Sequence, residues 1–436
     1  MSKLREEAIG GHNPNILCQI PDWSEYFLKH SHILESQFEV LAQGGTVDAV
    51  SDHSGRLSPI SHPVTIHSTQ GLTASQIADQ FTQESTSHPT LGSLYPWSAT
   101  RSSYIPWAEV KVSRAARISS FDSGQEEERH FCASTFYDAK ILTGVDKLVK
   151  SQGTDSLVEK ATLEAVVLSQ RLVSANKKLL IAGAAIPGVE THSDAVHNIL
   201  VGLYAGIEDQ LPGGVYIISP MVTAQGIITT QILPALGAVK LHSDGYFHTP
   251  NSGPILTVHD GTVYIHPLFH EIKRRASYFT LLPDLPSVYL QDELAIVRLQ
   301  KALEKVSIET VKNPAIVLDR HYKEGMRVFV VQARGAGNAP IEWKRKITEI
   351  IARGDTTVMV ITLADSGDVN LHKYAAGLEV DGVLSGRTLR EDAAWILAGI
   401  IHDLKIHNQL SMEPQKFIEL FCFLSGMIVL PEAELK

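Results

Sequence analysis

LVKSQGTDSLVEKA, residues 148–161, is a short apolar run that breaks into Gly-Thr-Asp-Ser and turns at once into a helical pattern. Ser156 and Glu159 have the S-x-x-E spacing of a capping box, in which a hydroxyl and a carboxylate satisfy free amides at a helix start. Leu157, Ala161, Ala165, Leu168 and Leu172 recur at helical spacing and predict one apolar face. Thr154 and Asp155 therefore fall in a tight turn just ahead of a helix N-terminus. Outward backbone N–H groups and the helix dipole favour polar or anionic ligands there. Ordinary cap residues in isolation would look the same, so the rest of the chain decides between the two readings.

Outward from this turn, strand and helix patterns alternate. AKILTGVDKLVKS runs into it as a strand, and the helix behind it extends to about residue 174. KKLLIAGAA reads as a buried strand, HSDAVHNILVGLYAGI as a helix and GGVYIISP as another strand. Strands apolar on both faces, alternating with amphipathic helices, predict an α/β fold with a doubly wound, mainly parallel sheet. The rhythm is interrupted around RRASYFTLLPDLPSVYLQDE. It resumes with MRVFVVQARGAG, a helix from 341, TTVMVITLADSGD, REDAAWILAGIIHDLK and a last helix near 413–426. The expected organisation is an extension over 1–37, a large domain over 38–275, a linker over 276–310 and a smaller α/β domain over 311–436. Residues 48–110 are rich in Ser, Thr, His and Pro and predict loop, with one short helix around 73–82.

The 436 residues, 44% hydrophobic and 20% charged, suffice for large cores. A net charge of −10 without a basic run argues against nucleic-acid binding. No apolar run approaches the roughly 18 residues of a membrane span, and the start lacks the apolar core of a secretory signal, so a cytoplasmic protein without a membrane partner is expected. Cys18, Cys132 and Cys422 stand far apart, as buried or incidental thiols of a reducing compartment do. His266 and His270 have the four-residue spacing of helical metal ligands. Pro267 confines them to a first turn and no third ligand can be nominated, so neither a metal nor a cofactor is expected.

Three polar turns follow strand patterns: QGGTV at 43–47, QGTDS at 152–156 and GAAIPGVETHSD at 183–194. Ligands of doubly wound sheets bind outside the carboxyl ends of the strands. Gly45-Thr46 and Gly153-Thr154 each set a hydroxyl beside a glycine that lets the backbone approach a substrate closely. A hydroxyl nucleophile needs a base to take its proton, and backbone N–H groups of such turns suit an oxyanion.

These turns resemble those of the bacterial-type L-asparaginases, two-domain amidohydrolases with threonine nucleophiles. AQGGTV stands where that family has T-G-G-T-I, and SQGTDS where it has T-H-G-T-D-T. KKLLIAGAAIPGVETHSDAVHNILVGLYA resembles its K-P-V-V-L-T-G-A-M-R-P…S-D-G-x-x-N-L segment, and FVVQARGAGNAP its G-x-G-A-G-N-x-P. The stretch from Leu363 to Leu397 resembles a block ending in G-x-D-M-T-x-E-A-A. The blocks run in register over about residues 38–430. The resemblance implies that Thr46 is the nucleophile and Thr154 part of a proton relay. It implies that Asp155 binds the substrate's α-amino group and that Ser120, with Ser119 as rival, binds its carboxylate. Gly45 and Gly153 would line the substrate. Asn338 and Ser366 fall in stretches that reach an active site, sometimes that of a neighbouring subunit, so a homodimer or homotetramer is implied.

The chain also departs from that pattern. Where the family has a relay lysine in a T-T-K or V-T-K run after its next strand, GIITTQILP has Gln231, which cannot hold or pass a proton as lysine does. Gln152 replaces the histidine of T-H-G-T-D-T, and Gln43 replaces the first threonine of T-G-G-T-I. The loop DAVSDHSGRLSP has no tyrosine, and His53 is its only ring. The leading expectation is hydrolysis of the side-chain amide of L-asparagine or a near relative, an amino-acid amide. The alternative is a non-catalytic asparaginase-like protein that binds an amino acid or acts as a structural partner. A third reading is an ammonia-donating subunit of a tRNA-dependent amidotransferase, for which the chain offers neither the extra domain nor a basic surface.

Overall fold

The computed structural model describes residues 15–19, 26, 29–42, 49–51, 57–59, 97–98, 103–104, 111–114, 125–152, 157–183, 195–207, 211–222, 228–240, 246–259, 262–291 and 293–431. The first sheet is built from β1 (Asn15–Gln19), β2 (Phe38–Ala42), β3 (Lys111–Arg114), β4 (Lys147–Gln152), β5 (Lys178–Gly183), β6 (Gly214–Val222), β7 (Ile228–Pro234), β8 (Leu256–His259) and β9 (Thr262–Ile265). Its order is β1-β9-β8-β7-β6-β5-β4-β2-β3. The run β3-β2-β4-β5-β6 is parallel throughout, and β7, β8, β9 and β1 extend it antiparallel. A second sheet, β10 (Val306–Thr310), β11 (Val328–Ala333), β12 (Thr357–Thr362) and β13 (Val383–Ser385), is parallel throughout. The two α/β units expected from the alternating patterns are both present.

Helices cover both faces of the first sheet: α1 (Ser31–Gln37), α2 (Gln125–Gly144), α3 (Leu157–Ser174), α4 (Ala195–Ile207) and α5 (Pro267–Arg275). Alternation along the strands sorts the core. Leu148, Leu179, Ile181, Val215 and Ile217 join α2 and α3 in one cluster, while Val149, Leu180, Ala182, Tyr216 and Ile218 join α4 and α5 in another. The first cluster continues into the second unit through α10 (Glu391–Ile406) and α11 (Pro414–Leu424). Helix α3 is therefore buried far beyond the single face read from its leucines and alanines; Val158, Thr162, Glu164 and Val166 are buried too.

Several segments differ from the sequence reading. AKILTG, read as the start of a strand, completes α2, whose buried Cys132, Thr135, Asp138, Ala139 and Leu142 recur at helical spacing. Residues 15–19, inside the expected extension, are a sheet strand paired to β9. Two short hairpins, Ala49–Ser51 with Leu57–Pro59 and Trp97–Ser98 with Ser103–Tyr104, interrupt the expected loop; the helix expected at 73–82 lies outside the described residues. The expected linker carries a 3-10 turn (Ala276–Leu281), α6 (Leu285–Tyr289) and α7 (Glu293–Leu303), and its last five residues are β10. Helices α8 (Val317–Lys323) and α9 (Ile341–Ile351) flank the second sheet. Among the described residues, no helix is long and apolar enough to cross a membrane.

Candidate functional site

The parallel strands contain a topological switch. From β2 the next strand in the chain, β3, lies on one side, whereas β4, β5 and β6 lie successively on the other. In doubly wound sheets ligands bind outside the carboxyl ends of the strands at such a reversal, which here falls between β2 and β4. One continuous row of paired residues crosses the sheet: Arg114 and Ala42 at the ends of β3 and β2, Ser151 and Ala182 one residue short of the ends of β4 and β5, and Ile218 and Ile232 within β6 and β7. One residue further on, Gln152 pairs with Gly183 and Ser219 pairs with Gln231, which pairs in turn with Thr257 of β8. Gln152, Ser219, Gln231 and Thr257 make this next row a polar rim.

Gly45, Thr46, His53, Ser120, Gly153, Thr154 and Asp155 lie outside the described residues, as do Ser119 and Gln43. Their segments are placed only by the strands they adjoin: residues 43–48 follow β2, 115–124 follow β3 and 153–156 join β4 to α3. Gln231 is described and buried, at 8% exposure. It sits within β7, opposite Ser219, rather than beyond a strand end, which differs from the sequence reading. Three strand spacings, about 14 Å, separate its backbone from that of β4.

Asn198 of α4, quoted within the HSDAVHNIL match but not singled out from sequence, has a defined part. Its Nδ2 donates to the Gly183 carbonyl at 2.7 Å, and the Thr230 hydroxyl contacts its Oδ1 at 3.4 Å. This fully buried amide ties the end of β5 to the residue preceding Gln231. On the other side of Gln231, the Thr257 hydroxyl is bonded to His266 Nε2 at 2.8 Å, and burial holds that imidazole below its usual value. Pro267 opens α5 with His266 at its N-cap and His270 exposed, so this pair serves a hydrogen bond and a helix start rather than one shared centre. Among the described residues, no three His, Cys, Asp or Glu side chains converge as metal ligands.

Asn338 and Ser366 lie at corresponding ends of the second sheet, in the turns that follow β11 and β12. Asn338 closes its turn by two backbone bonds with Arg334. Gly337, at φ 108°, is needed there because a Cβ would come within 2.9 Å of Leu371. The turn at 366–368 reaches the first unit: Asn251 accepts from the Gly367 N–H at 3.1 Å and donates to the Thr388 carbonyl at 2.8 Å. A cavity of about 530 Å³ opens elsewhere in the second unit, lined by Asn370, Ser385, Arg387 and Glu419 among others. Its Arg387 is already engaged with Asp368 at 3.0 Å, and it lies apart from the switch point. Cys132 and Cys422 are buried thiols, Cys422 being pushed up to about 12 chiefly by burial.

Known proteins share this architecture. The family model described as Asparaginase, N-terminal, matches residues 38–268, more than half of the chain. L-asparaginase 1 of Escherichia coli K12 is 26% identical over 277 residues, which is 62% of this chain and 69% of that protein. The thermostable L-asparaginase from Thermococcus kodakarensis aligns over 90% of this chain and 99% of its own, at a TM-score of 0.58 and 17% identity. A probable cytoplasmic L-asparaginase from Campylobacter jejuni aligns over 89% and 99%, at a TM-score of 0.55 and 18% identity. At these identities the structural likeness speaks to the fold.

Proposed function

The chain belongs to the asparaginase family, and from that premise we propose that it hydrolyses the side-chain amide of L-asparagine, or of a near relative, to the acid and ammonia. One observation carries the proposal. The segments holding Thr46 and Thr154 follow directly on β2 and β4, the adjacent strands that flank the switch point.

In this reading Thr46 Oγ attacks the amide carbon while its proton passes to a base, and N–H groups of the glycine turns receive the oxyanion. The amide nitrogen leaves as ammonia, and water then cleaves the threonine ester to release the acid. Asp155 holds the substrate's α-ammonium and Ser120 its carboxylate. Thr154 relays the proton, and Gln231 occupies the place of the lysine that would assist it. Loss of a general base or its partner costs ~10²–10⁴ in rate, so residual catalysis remains accessible. A symmetric homodimer or homotetramer in the cytoplasm, with Asn338 and Ser366 near a subunit junction, completes the proposal.

Gln231 itself favours a second reading, a non-catalytic protein that binds an amino acid. Ammonia release from asparagine, glutamine and simple acyl amides, compared with Thr46→Ala, decides between the two. Release above the Thr46→Ala level supports the amidohydrolase. Background release together with calorimetric binding of L-aspartate supports the second reading.

A further inference from the structure

The Lys150 ammonium is enclosed by two carboxylates, 2.6 Å from Asp138 Oδ2 and 2.6 Å from Glu164 Oε1, and all three side chains are at 0% exposure. The three residues belong to β4, α2 and α3. Lys150 precedes the 153–156 turn on the strand side and Glu164 follows it on the helix side. One ammonium thus pins together the two elements that the turn connects, and Asp138 fastens both to α2.

With every group ionised the cluster would carry a net negative charge in a dry core, which is strongly unfavourable. Among the described residues, Asp138 Oδ1 and Glu164 Oε2 have no hydrogen-bond partner. One proton on either carboxyl removes the net charge and turns that group into a donor toward the other. Burial is the largest influence on Glu164. Lys150 pulls against it and the Asp138 charge adds to it, leaving Glu164 pushed up to about 8. Among the described residues, the other buried ionisable groups on these three elements are Lys160, one turn earlier on α3, Cys132 on α2, whose thiol is kept protonated by burial, and Lys147 of β4, which lies on the opposite face by strand alternation and donates to Gln37. Lys178 of β5 lies on the opposite face by strand alternation, and Asp403 of α10 is bonded to Tyr289 and Arg298.

We propose that Lys150, Asp138 and Glu164 form a charge-neutral triad that holds one proton between its carboxyls and acts as the positioning device for the junction of β4 with α3. Only the use of the connecting residues 153–156 in amide hydrolysis rests on the proposed function; the triad stands without it. Ionisation of the second carboxyl leaves two anions against one cation and loosens the β4–α3 junction.

Infrared spectroscopy and hydrogen exchange on the full chain test this. At pH 7 the wild type is expected to show the carbonyl stretch of a protonated carboxylic acid that disappears above about pH 8 and is missing in Glu164→Gln. Exchange in the peptide 148–161, corrected for the intrinsic pH dependence, is expected to rise at least tenfold over the same interval in the wild type and stay flat in Glu164→Gln. Absence of the band at pH 7 overturns the shared proton. A band whose loss leaves 148–161 exchange unchanged overturns the positioning role. Should Glu164→Gln not fold, the wild type alone decides, because band and exchange must change at the same pH. If both behave as expected while no substrate releases ammonia, the amidohydrolase reading fails and the triad remains.

Discussion

Gln231 stands directly opposite Ser219 across the β6–β7 pair and beside Thr257 of β8, on the residue row that continues the ends of β4 and β5. Its two neighbours already have partners: the Ser219 hydroxyl accepts from the Phe247 N–H at 2.9 Å, and the Thr257 hydroxyl is bonded to His266. A lysine here would bring an ammonium to a row whose described residues, Gly183, Ser219 and Thr257, carry no charge. If the relay reading holds, Gln231→Lys should raise ammonia release by about tenfold or more. That is the low end of the ~10²–10⁴ attributed to a general base, discounted for surroundings that also lack a histidine at Gln152 and a tyrosine in the loop after Thr46. Thr46→Ala should abolish release in both backgrounds. Hydrolysis that stays at background in Gln231→Lys, with L-aspartate still bound, would favour the non-catalytic reading.

Asn198→Ala removes the donor to the Gly183 carbonyl and the acceptor facing Thr230, both in a dry environment. A buried group left unsatisfied costs about 1–3 kcal/mol, so urea denaturation should show a loss in that range. The substitution should also impair any activity or L-aspartate binding more than an equally destabilising core change such as Leu203→Ala, because Asn198 secures β5 and β7 next to the rim. Equal impairment in the two variants would reduce Asn198 to a packing residue.

The parallel half of the molecule was legible because buried strands such as KKLLIAGAA carry long apolar runs with no competing pattern. The antiparallel strands β8 and β9 were not. They are four residues each and lie in a histidine-rich stretch, and β1 is a single edge strand whose apolar content alone does not distinguish it from loop. Helix α2 hid because its buried positions include Thr135 and Asp138, polar residues that a hydrophobic pattern skips. Lys150 was invisible for a related reason: charge reads as exposure until its two carboxylates are known to meet it. The site's ordering along the chain came from the resemblance, but the switch point between β2 and β4 required the strand order.

Asp403 joins the helical segment between the two units to α10. It accepts from the Tyr289 hydroxyl at 2.8 Å and from Arg298 Nε at 3.1 Å while being 1% exposed. Asp403→Ala should cost about 2–3 kcal/mol, with the share of partly exposed Arg298 reduced by solvent screening. A double-mutant cycle with Tyr289→Phe should return a coupling of about 1 kcal/mol or more. Additive single effects would show that the pair does not act as a unit.

The proposed assembly is checked by mass. Sedimentation equilibrium at micromolar concentration should give a symmetric dimer or tetramer, and substitutions in the turns bearing Asn338 and Ser366 should alter site occupancy if those turns reach a neighbour's site. A monomer that nevertheless binds L-aspartate would remove the subunit junction from the proposal.

His402 sets an acid limit. Its ring is 3% exposed on α10 with the Thr357 hydroxyl at 3.2 Å, and burial, reinforced by Lys305 and Lys405, brings it down to about 4 from 6.5. Between those values the unfolded chain takes up a proton that the native chain refuses. The stability this residue contributes is therefore intact above about pH 6.5 and is lost as the pH falls toward 4, by at most about 1.4 kcal/mol per pH unit. The full loss is about 3 kcal/mol. Glu164 acts in the opposite sense: its native value is raised, so its contribution is largest at low pH and falls as the pH rises to about 8. The two slopes offset each other between pH 4.5 and 6.5, and the wild type's own profile can look flat there. The informative quantity is the difference between wild type and His402→Gln, measured by urea denaturation at pH 7, 5.5 and 4.5. The wild type should lose ground relative to the variant at each step down. A constant difference across the three pH values would mean that His402 takes up its proton as readily in the native protein as in the unfolded chain, in conflict with its burial.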